Sequence, residues 1–556
     1  MVGVKRPMPG VVYMPSDEIA DYVGKGVFGS RSLIGAFVES FRTNASRIAL
    51  SGPDGATTYA ELDEKSDRGA AALWNLGLRP LDRVLFQIRN SKELIYAFFS
   101  CLKIGAIPVC TLAAHREQEI GYIGQHAEAK AHFVHGDDAR FDMVAFARSM
   151  REKIPSMQHL ITVRGAGEPG VLSFEALIAA EDPDAARELV TSIEHDPCQV
   201  ALFQLSGGTS GVPKIIPRFN NEYIYAIQTV IDLVGLDRNV VTFTPNPLMH
   251  NAPMVCFWGP TMMLGGELAI AGGPALADIE AALTSRRPTW IAMAKVHLLR
   301  LKERGILERM NFDNVLGFAV PDNAVSLSEM LGATCLPLYG MTEGLLAHCR
   351  PGDPHEAIEF TVGQATSPYD DIRIVHPGTE QEVAPGEAGE LLVKGPSTIR
   401  GYYDAPERDA EAVTADGYYR SGDLMSVRVI DGVDYLVFNG RVKDVVDRGG
   451  EKINCGEVEV AIASYDPVGA VSCVAMPDPL YGERLCAFIV LREGVAEMTL
   501  EALSAYLERH GLAKFKWPER LEFVDEMPTT TSGKVSKPLM REIITKKLRE
   551  EAAAAA

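Results

Sequence analysis

Ser206-Gly207-Gly208-Thr209-Ser210-Gly211-Val212-Pro213-Lys214 is the stretch whose reading decides the fold. An apolar, β-prone run at 199–205 precedes it, and Ile215-Ile216-Pro217-Arg218 follows. That pattern predicts strand, loop, strand. Glycines let backbone amides approach phosphate oxygens with no Cβ in the way, hydroxyls donate hydrogen bonds, and the lysine adds positive charge. On composition alone the stretch would equally suit an ordinary glycine-rich turn. A P-loop NTPase requires Gly-Lys-Ser/Thr opening a helix. Here Pro213 precedes the lysine and the residues after it suit a strand, so the stretch does not fit a Walker loop.

The chain around it has 556 residues, enough for large cores and more than one domain. It is 47% hydrophobic and 23% charged, the balance of an ordinary globular protein. A formal net charge of -20 speaks against nonspecific nucleic-acid or anionic-membrane binding, both of which draw on clustered Lys and Arg. Nine scattered cysteines without a Cys-x-x-Cys pair fit reduced thiols in a cytoplasm, neither a disulfide framework nor a zinc site. Lys5 and Arg6 are followed by no apolar core of a signal peptide. The uncharged stretch 239–266 carries four prolines, three asparagines and a histidine, a poor membrane span and a good buried pocket wall.

Helical spacing of Leu33, Ile34, Phe37, Val38 and Phe41 predicts one helix, and Thr58 with Glu61 reads as the capping box of the next, which stops at Gly77. A strand at 83–88, a helix at 91–104 and a strand at 106–109 follow, a βαβ rhythm that implies parallel strands under helices. Boundaries between 117 and 197 are not legible. The rhythm returns around the glycine loop and continues through 288–293 and 315–319. Composition shifts near 440, and beyond it short strands and helices make a compact α+β unit of about 100 residues. Residues 550–556 read as a helix end or tail.

Tyr339-Gly340-Met341-Thr342-Glu343-Gly344 places an aromatic, a flexible joint, a hydroxyl and a carboxylate within six residues. An aromatic can stack on a purine and a carboxylate can hold Mg2+ on phosphates, although a packed Tyr and an N-capping Thr would explain the same letters. Ser421-Gly422-Asp423, Gly440-Arg441-Val442-Lys443-Asp444, Arg448-Gly449-Gly450-Glu451-Lys452 and Thr531-Ser532-Gly533-Lys534 follow in order.

Together with the glycine loop, these motifs resemble the adenylate-forming superfamily, which contains acyl-CoA synthetases, luciferases and nonribosomal peptide adenylation domains. Within it, Phe203-Gln204-Leu205 before the loop and Lys214-Ile215-Ile216-Pro217-Arg218 after it resemble the stand-alone aryl acid AMP ligases. The resemblance covers nearly the whole chain and implies an α/β fold. A large N-terminal domain of βαβ layers spans 1–439, a hinge lies at 440–444, and a small mobile α+β domain spans 445–556. It implies that Ser206, Gly207, Gly208, Thr209, Ser210, Gly211 and Lys214 bind the phosphates of ATP. It further implies that Tyr339 faces adenine with Gly340 and Met341, that Thr342 reaches the α-phosphate, that Glu343 binds Mg2+, and that Asp423 and Arg441 hold the ribose. The family's Gly-Gly-Ala turn against adenine has its best match in Gly317-Phe318-Ala319, where phenylalanine replaces the central glycine. Lys534 is the implied catalytic cation, grouped with His250, Thr342 and Glu343. Lys443 is the implied hinge, and Gly449, Gly450 and Lys452 belong to the loop of a second, thioester-forming half-reaction.

Aryl acid ligases for 2-hydroxybenzoates carry His-Asn-Tyr-Pro where this chain has His250-Asn251-Ala252-Pro253. The resemblance implies that Asn251 binds the ring 2-hydroxyl in a pocket shared with Gly340, and that Ala252 enlarges or reshapes it. Ligases for 2,3-dihydroxybenzoate have serine and valine where this chain has Cys256 and Leu346. Cysteine is a weak hydrogen-bond partner and leucine is bulkier, which favours salicylate; as a residue type, Cys256 could also simply be a small buried one. The expected reaction is ATP- and Mg2+-dependent formation of aryl-AMP, then transfer to a carrier protein's phosphopantetheine thiol in trans. A 2,3-dihydroxybenzoate-AMP ligase, a salicylate-CoA ligase acting on coenzyme A, and a catalytically silent nucleotide-binding regulator are the alternatives.

Overall fold

A computed structural model describes residues 3–206, 213–273, 275–293, 295–310, 312, 314–320, 324–448, 451–510, 512–530 and 534–555. The chain divides into two compact units. The first comprises Met1–Ile372, Val393–Tyr419 and Val429–Leu436, the second Arg373–Leu392, Arg420–Arg428 and Val437–Ala556. The architecture is mixed α/β, as expected. No helix among the described residues is long and apolar enough to cross a membrane.

The first unit holds two large sheets. One runs, in spatial order, Leu172–Ser173, His159–Val163, Ala131–His135, Arg83–Gln87, Ile107–Val109, Val200–Leu205 and Ile215–Phe219. Its neighbours are parallel until the last pair, where the two strands flanking the glycine loop run antiparallel. The other places Cys335–Gly340, Gly317–Val320, Trp290–Ala292, Val241–Phe243, Glu267–Ala269 and Ile48–Gly52 side by side in parallel, with antiparallel strands at both edges.

The sequence explains these elements locally. Ser32 caps the helix Leu33–Thr43 by accepting from the Gly35 amide, and that helix buries Leu33, Ile34, Phe37 and Phe41. Thr58 and Glu61 form the expected capping box of Tyr59–Asn75, and Gly77 takes the left-handed conformation past the helix end (φ 96°). In the stretch whose boundaries were not legible, the βαβ rhythm simply continues through Glu117–His126, Ala131–His135, Met143–Lys153 and His159–Val163.

The uncharged stretch forms a buried wall. After a turn at 248–249 and a short helical start at Asn251, the backbone widens into a π-helical segment, Pro253–Trp258, whose residues are all buried. Trp258 anchors it: the indole N–H donates to Leu248 O (2.9 Å), and the ring meets Phe98 and Phe99 edge-on. Trp290 donates to Cys256 O (2.9 Å) from the neighbouring sheet. Ala252 is exposed beside this wall.

The second unit contains strands Glu451–Asn454, Val445–Arg448, Gly482–Leu491 and Val468–Asp478 in that spatial order, with Arg520–Phe523 parallel to Gly482–Leu491. Helices Cys455–Ala463, Leu500–Arg509 and Lys537–Ala555 belong to the same unit.

Gly259 closes the wide turn, its amide donating to Met254 O. A Cβ there would lie 2.3 Å from that oxygen and 2.9 Å from Ile227 Cδ1. Gly259→Ala should therefore cost about 1–3 kcal/mol of stability through overpacking. Thermal unfolding checks this, and an unchanged midpoint would mean that the turn relaxes around the methyl.

Candidate functional site

Two strand-to-loop junctions build the site of the first unit. Ser206 and Lys214 close the neck of the glycine loop: the Ser206 amide donates to Lys214 O (3.1 Å), and the Lys214 amide to Ser206 Oγ (3.4 Å). Gly207, Gly208, Thr209, Ser210 and Gly211 lie outside the described residues. The second junction is the hairpin that joins Cys335–Gly340 to Leu346–His348, in which Gly340 pairs with Leu346 and Tyr339 with Ala347. Thr342 and Glu343 occupy its tip, held by Met341 N–H to Leu345 O (3.1 Å) and Gly344 N–H to Met341 O (3.2 Å).

Arg218, on the strand leaving the glycine loop, ties these junctions together. It is buried, and its Nε and Nη2 donate to the two carboxylate oxygens of buried Glu222 (2.7 and 2.8 Å). Nη1 donates to Thr342 O and Nη2 also reaches Ser397 O (3.4 Å). A planar guanidinium suits this bidentate arrangement, and removing one member of such a buried pair costs roughly 3–5 kcal/mol.

Glu343 is nearly buried and lies in a polar cluster. Tyr402 Oη donates to its carboxylate (3.0 Å), shares a hydrogen bond with Tyr419 Oη (2.9 Å) and accepts from Lys214 Nζ (3.0 Å). The lysine also stands 4.4 Å from the Tyr402 ring centre. Burial, with the Glu343 charge adding, holds both phenols well above the ordinary tyrosine range, so they stay protonated donors. Sequence reasoning missed Tyr402 and Tyr419, which have no local pattern. For Arg218 and Glu222 the i, i+4 spacing of opposite charges was the available signal.

Tyr223 Oη donates to Asn251 Oδ1 (2.9 Å). His250 sits beside Asn251 at the start of the buried wall, its carbonyl accepting from the Met254 amide (3.2 Å). Cys256 is fully buried in the wall, and burial pushes its thiol up to about 12. Leu346 packs against Gly340, where a Cβ would lie 2.6 Å from Leu346 Cδ2. The segment matched to a Gly-Gly-Ala turn is a strand: Gly317, Phe318 and Ala319 lie in Gly317–Val320, with Phe318 in the core against Phe312. The physical reason is that a buried phenylalanine flanked by two hydrogen-bonded neighbours continues the sheet.

In the second unit Asp423 and Arg441 are brought together, Arg441 Nε lying 3.2 Å from the Asp423 carboxylate. Ser421 Oγ donates to Leu391 O (2.9 Å) and accepts from the Asp423 amide (3.0 Å), which fixes the carboxylate's backbone. Lys443 lies in the tight turn Val442–Asp444, whose carbonyl at 443 and carboxylate at 444 both accept from Arg541 (2.6 Å each). Gly449 and Gly450 lie outside the described residues, and Lys452 lies in Glu451–Asn454. Lys534 is bracketed with Thr530, whose amide donates to Lys534 O (2.7 Å). The residue is exposed, and partial desolvation by the atoms around it, with the charge of Arg441 adding, lowers its proton affinity below the ordinary lysine value.

The family profile described as "AMP-binding enzyme" matches residues 37–403, and that described as "AMP-binding enzyme C-terminal domain" matches 457–534. The chain is 34% identical over 543 residues to a 2,3-dihydroxybenzoate-AMP ligase of Bacillus subtilis, covering 96% of this chain and 97% of the relative. It is 34% identical over 551 residues to a salicyl-AMP ligase / salicyl-S-ArCP synthetase of Mycobacterium tuberculosis, covering 96% and 95%. Among solved structures, the apo structure of MbtA from Mycobacterium smegmatis superposes with a TM-score of 0.72 at 32% identity, covering 96% and 98%.

His348, two residues along its strand from Leu346, gives the first unit an acid sensitivity. Its Nδ1–H donates to Cys349 O (2.6 Å), its ring stacks on Trp290, and its Nε2 has no hydrogen-bond partner among the described residues. Burial pushes its pKa down to about 4. A base with a depressed folded-state pKa stabilises the fold above its unfolded value, about 6.5, and that contribution is lost as pH falls toward 4. His348→Phe should take up about one proton fewer on unfolding near pH 5, flattening the acid limb by ~1.4 kcal/mol per pH unit. Urea midpoints measured from pH 7 to 4 check it, and parallel limbs for the two proteins would contradict it.

Proposed function

Because the chain belongs to the AMP-binding enzyme family, as an aryl acid AMP ligase of the adenylate-forming superfamily, we propose that its acid is salicylate and its acceptor a carrier-protein thiol. The observation that carries the choice of acid is the pairing of a fully buried, protonated Cys256 with a Leu346 packed on Gly340. A 3-hydroxyl entering such surroundings lacks a good partner. An unpaired buried hydroxyl costs roughly 1–3 kcal/mol, a ~10- to 100-fold preference for the acid without it.

In the proposed reaction an oxygen of the acid's carboxylate bonds to the α-phosphorus of ATP as the bond to pyrophosphate breaks. Ser206, Gly207, Gly208, Thr209, Ser210, Gly211 and Lys214 hold the phosphates, and Thr342 contacts the α-phosphate. Tyr339, Gly340 and Met341 are assigned to adenine, Asp423 and Arg441 to ribose, and Asn251 to the ring 2-hydroxyl, next to His250. Lys534 supplies positive charge to a transition state in which two anionic groups meet. Mg2+ neutralises phosphate charge when bound. Among the described residues no group of three or more His, Cys, Asp or Glu could hold a metal. Glu343 is its proposed protein ligand, in keeping with the preference of Mg2+ for one or two carboxylates plus substrate phosphates. Lys443 is proposed as the hinge, and Gly449, Gly450 and Lys452 as the thioester loop.

ATP–pyrophosphate exchange with salicylate, 2,3-dihydroxybenzoate and benzoate tests the reading, with salicylate expected to lead. A lead for 2,3-dihydroxybenzoate would keep the enzyme class and discard salicylate. Cys256→Ser combined with Leu346→Val should move the preference toward 2,3-dihydroxybenzoate by ~10-fold or more, and an unaltered ratio would refute the pocket argument. Lys534→Ala should cut exchange by roughly 100-fold or more while ATP binding, read by calorimetry, persists. Near-normal turnover would remove Lys534 from the mechanism.

A further inference from the structure

Gln204, Tyr223 and Asn251 form a hydrogen-bond relay with a fixed direction. Tyr223 lies in the first turn of the helix Asn220–Val234 and is fully buried, and burial holds its phenol far above the ordinary range, so it carries its single hydrogen throughout the working pH range. Its oxygen accepts from Gln204 Nε2 (3.4 Å), which comes from the strand entering the glycine loop. The hydrogen therefore goes to Asn251 Oδ1 at 2.9 Å. An asparagine amide has a carbonyl end that accepts and an NH2 end that donates. With the carbonyl taken by Tyr223, the NH2 of Asn251 points the other way. Asn251 itself is 8% exposed, so rotation of its side chain is confined by its neighbours.

We propose that Tyr223 is a positioning residue that orients the Asn251 amide as a donor. The pocket thereby accepts acids whose ortho substituent can receive a hydrogen bond and disfavours those whose ortho substituent can only give one. The inference rests on the reading of Asn251 as the contact to the ring 2-position. A 2-hydroxybenzoate suits this orientation: its phenol hydrogen turns to the adjacent carboxylate, leaving the oxygen free to accept from Asn251. A 2-aminobenzoate does not, because its nitrogen lone pair is delocalised into the ring and its N–H bonds oppose those of Asn251. Discrimination then arises from donor facing donor in a buried place, a repulsive element built into the pocket. Removing the Tyr223 hydroxyl releases the amide to turn over and present its oxygen to an amino group.

The test measures kcat/KM for ATP–pyrophosphate exchange with salicylate, anthranilate and benzoate in the wild-type chain, Tyr223→Phe and Gln204→Met. The wild type should favour salicylate over anthranilate by at least ~10-fold, and Tyr223→Phe should lower that ratio by about 10-fold, with benzoate, which has no ortho group, little changed. Gln204→Met, which removes the donor that orients the phenol, should lower the ratio in the same direction by a smaller factor. A wild type that takes anthranilate as readily as salicylate overturns the inference even if neither variant folds. Equal losses for all three acids in Tyr223→Phe also overturn it, since a purely structural role would give that result. Exchange with no aryl acid in the wild type would overturn the assignment of the acid site itself, whereas exchange with a flat ortho preference would overturn the relay alone.

Discussion

The buried ion pair of Arg218 and Glu222 is the interaction on which the first unit's site depends. Two charges removed from water must be saturated with partners, and this guanidinium finds them in the Glu222 carboxylate and the carbonyls of Thr342 and Ser397. The pair thus links the strand that leaves the glycine loop, the start of the helix Asn220–Val234, the tip of the Tyr339 hairpin and the 396–400 segment. Its geometry leaves little freedom, because a planar fork of donors matches only one placement of those oxygens. Arg218 also lies 5.1 Å from the centre of the Tyr223 ring, so the cation that fixes the Thr342 turn packs against the tyrosine that donates to Asn251.

Glu343 shows how a carboxylate can be kept buried and still remain available. The protonated Tyr402 phenol donates to it in place of water, Tyr419 Oη hydrogen-bonds the Tyr402 hydroxyl from behind, and Lys214 is attached to the same cluster through that hydroxyl. Charge at the exit of the glycine loop and charge at the hairpin tip are therefore joined by neutral donors. Hydrogen-bond chains of this kind are strong in a low-dielectric interior because each member polarises the next.

Much of the fold was legible in the letters. Capping at Thr58 and Glu61, helical spacing at Leu33 to Phe41, and the antiparallel strands on either side of the glycine loop all follow from local patterns. Residues 117–197 were illegible because frequent Ala, Asp and Glu weaken the contrast between buried and exposed faces, although parallel strands with ordinary helices lie there. The Gly317-Phe318-Ala319 segment was matched by motif to a turn and by pattern to the βαβ rhythm, and the hydrogen bonds of its two neighbours make it a strand. Asn251, Cys256, Gly340 and Leu346 were singled out from motifs as pocket candidates. The bonds around them were not, since Tyr223, Trp258 and Trp290 reach partners 28, 10 and 34 residues away.

The sequence by itself determined the class of the protein: an α/β chain with phosphate-loop, Tyr-Gly-Met-Thr-Glu and C-terminal lysine motifs in the order of adenylate-forming enzymes. Those features are local, because capping, turn chemistry and strand propensity act within a few residues. Only the tertiary structure decided that Arg218 holds the Thr342 turn, that Tyr402, backed by Tyr419, donates to Glu343, and that the Tyr223 hydroxyl meets the Asn251 carbonyl. Hydrogen bonds are directional and short, so which residue supplies them depends on where distant segments meet in space.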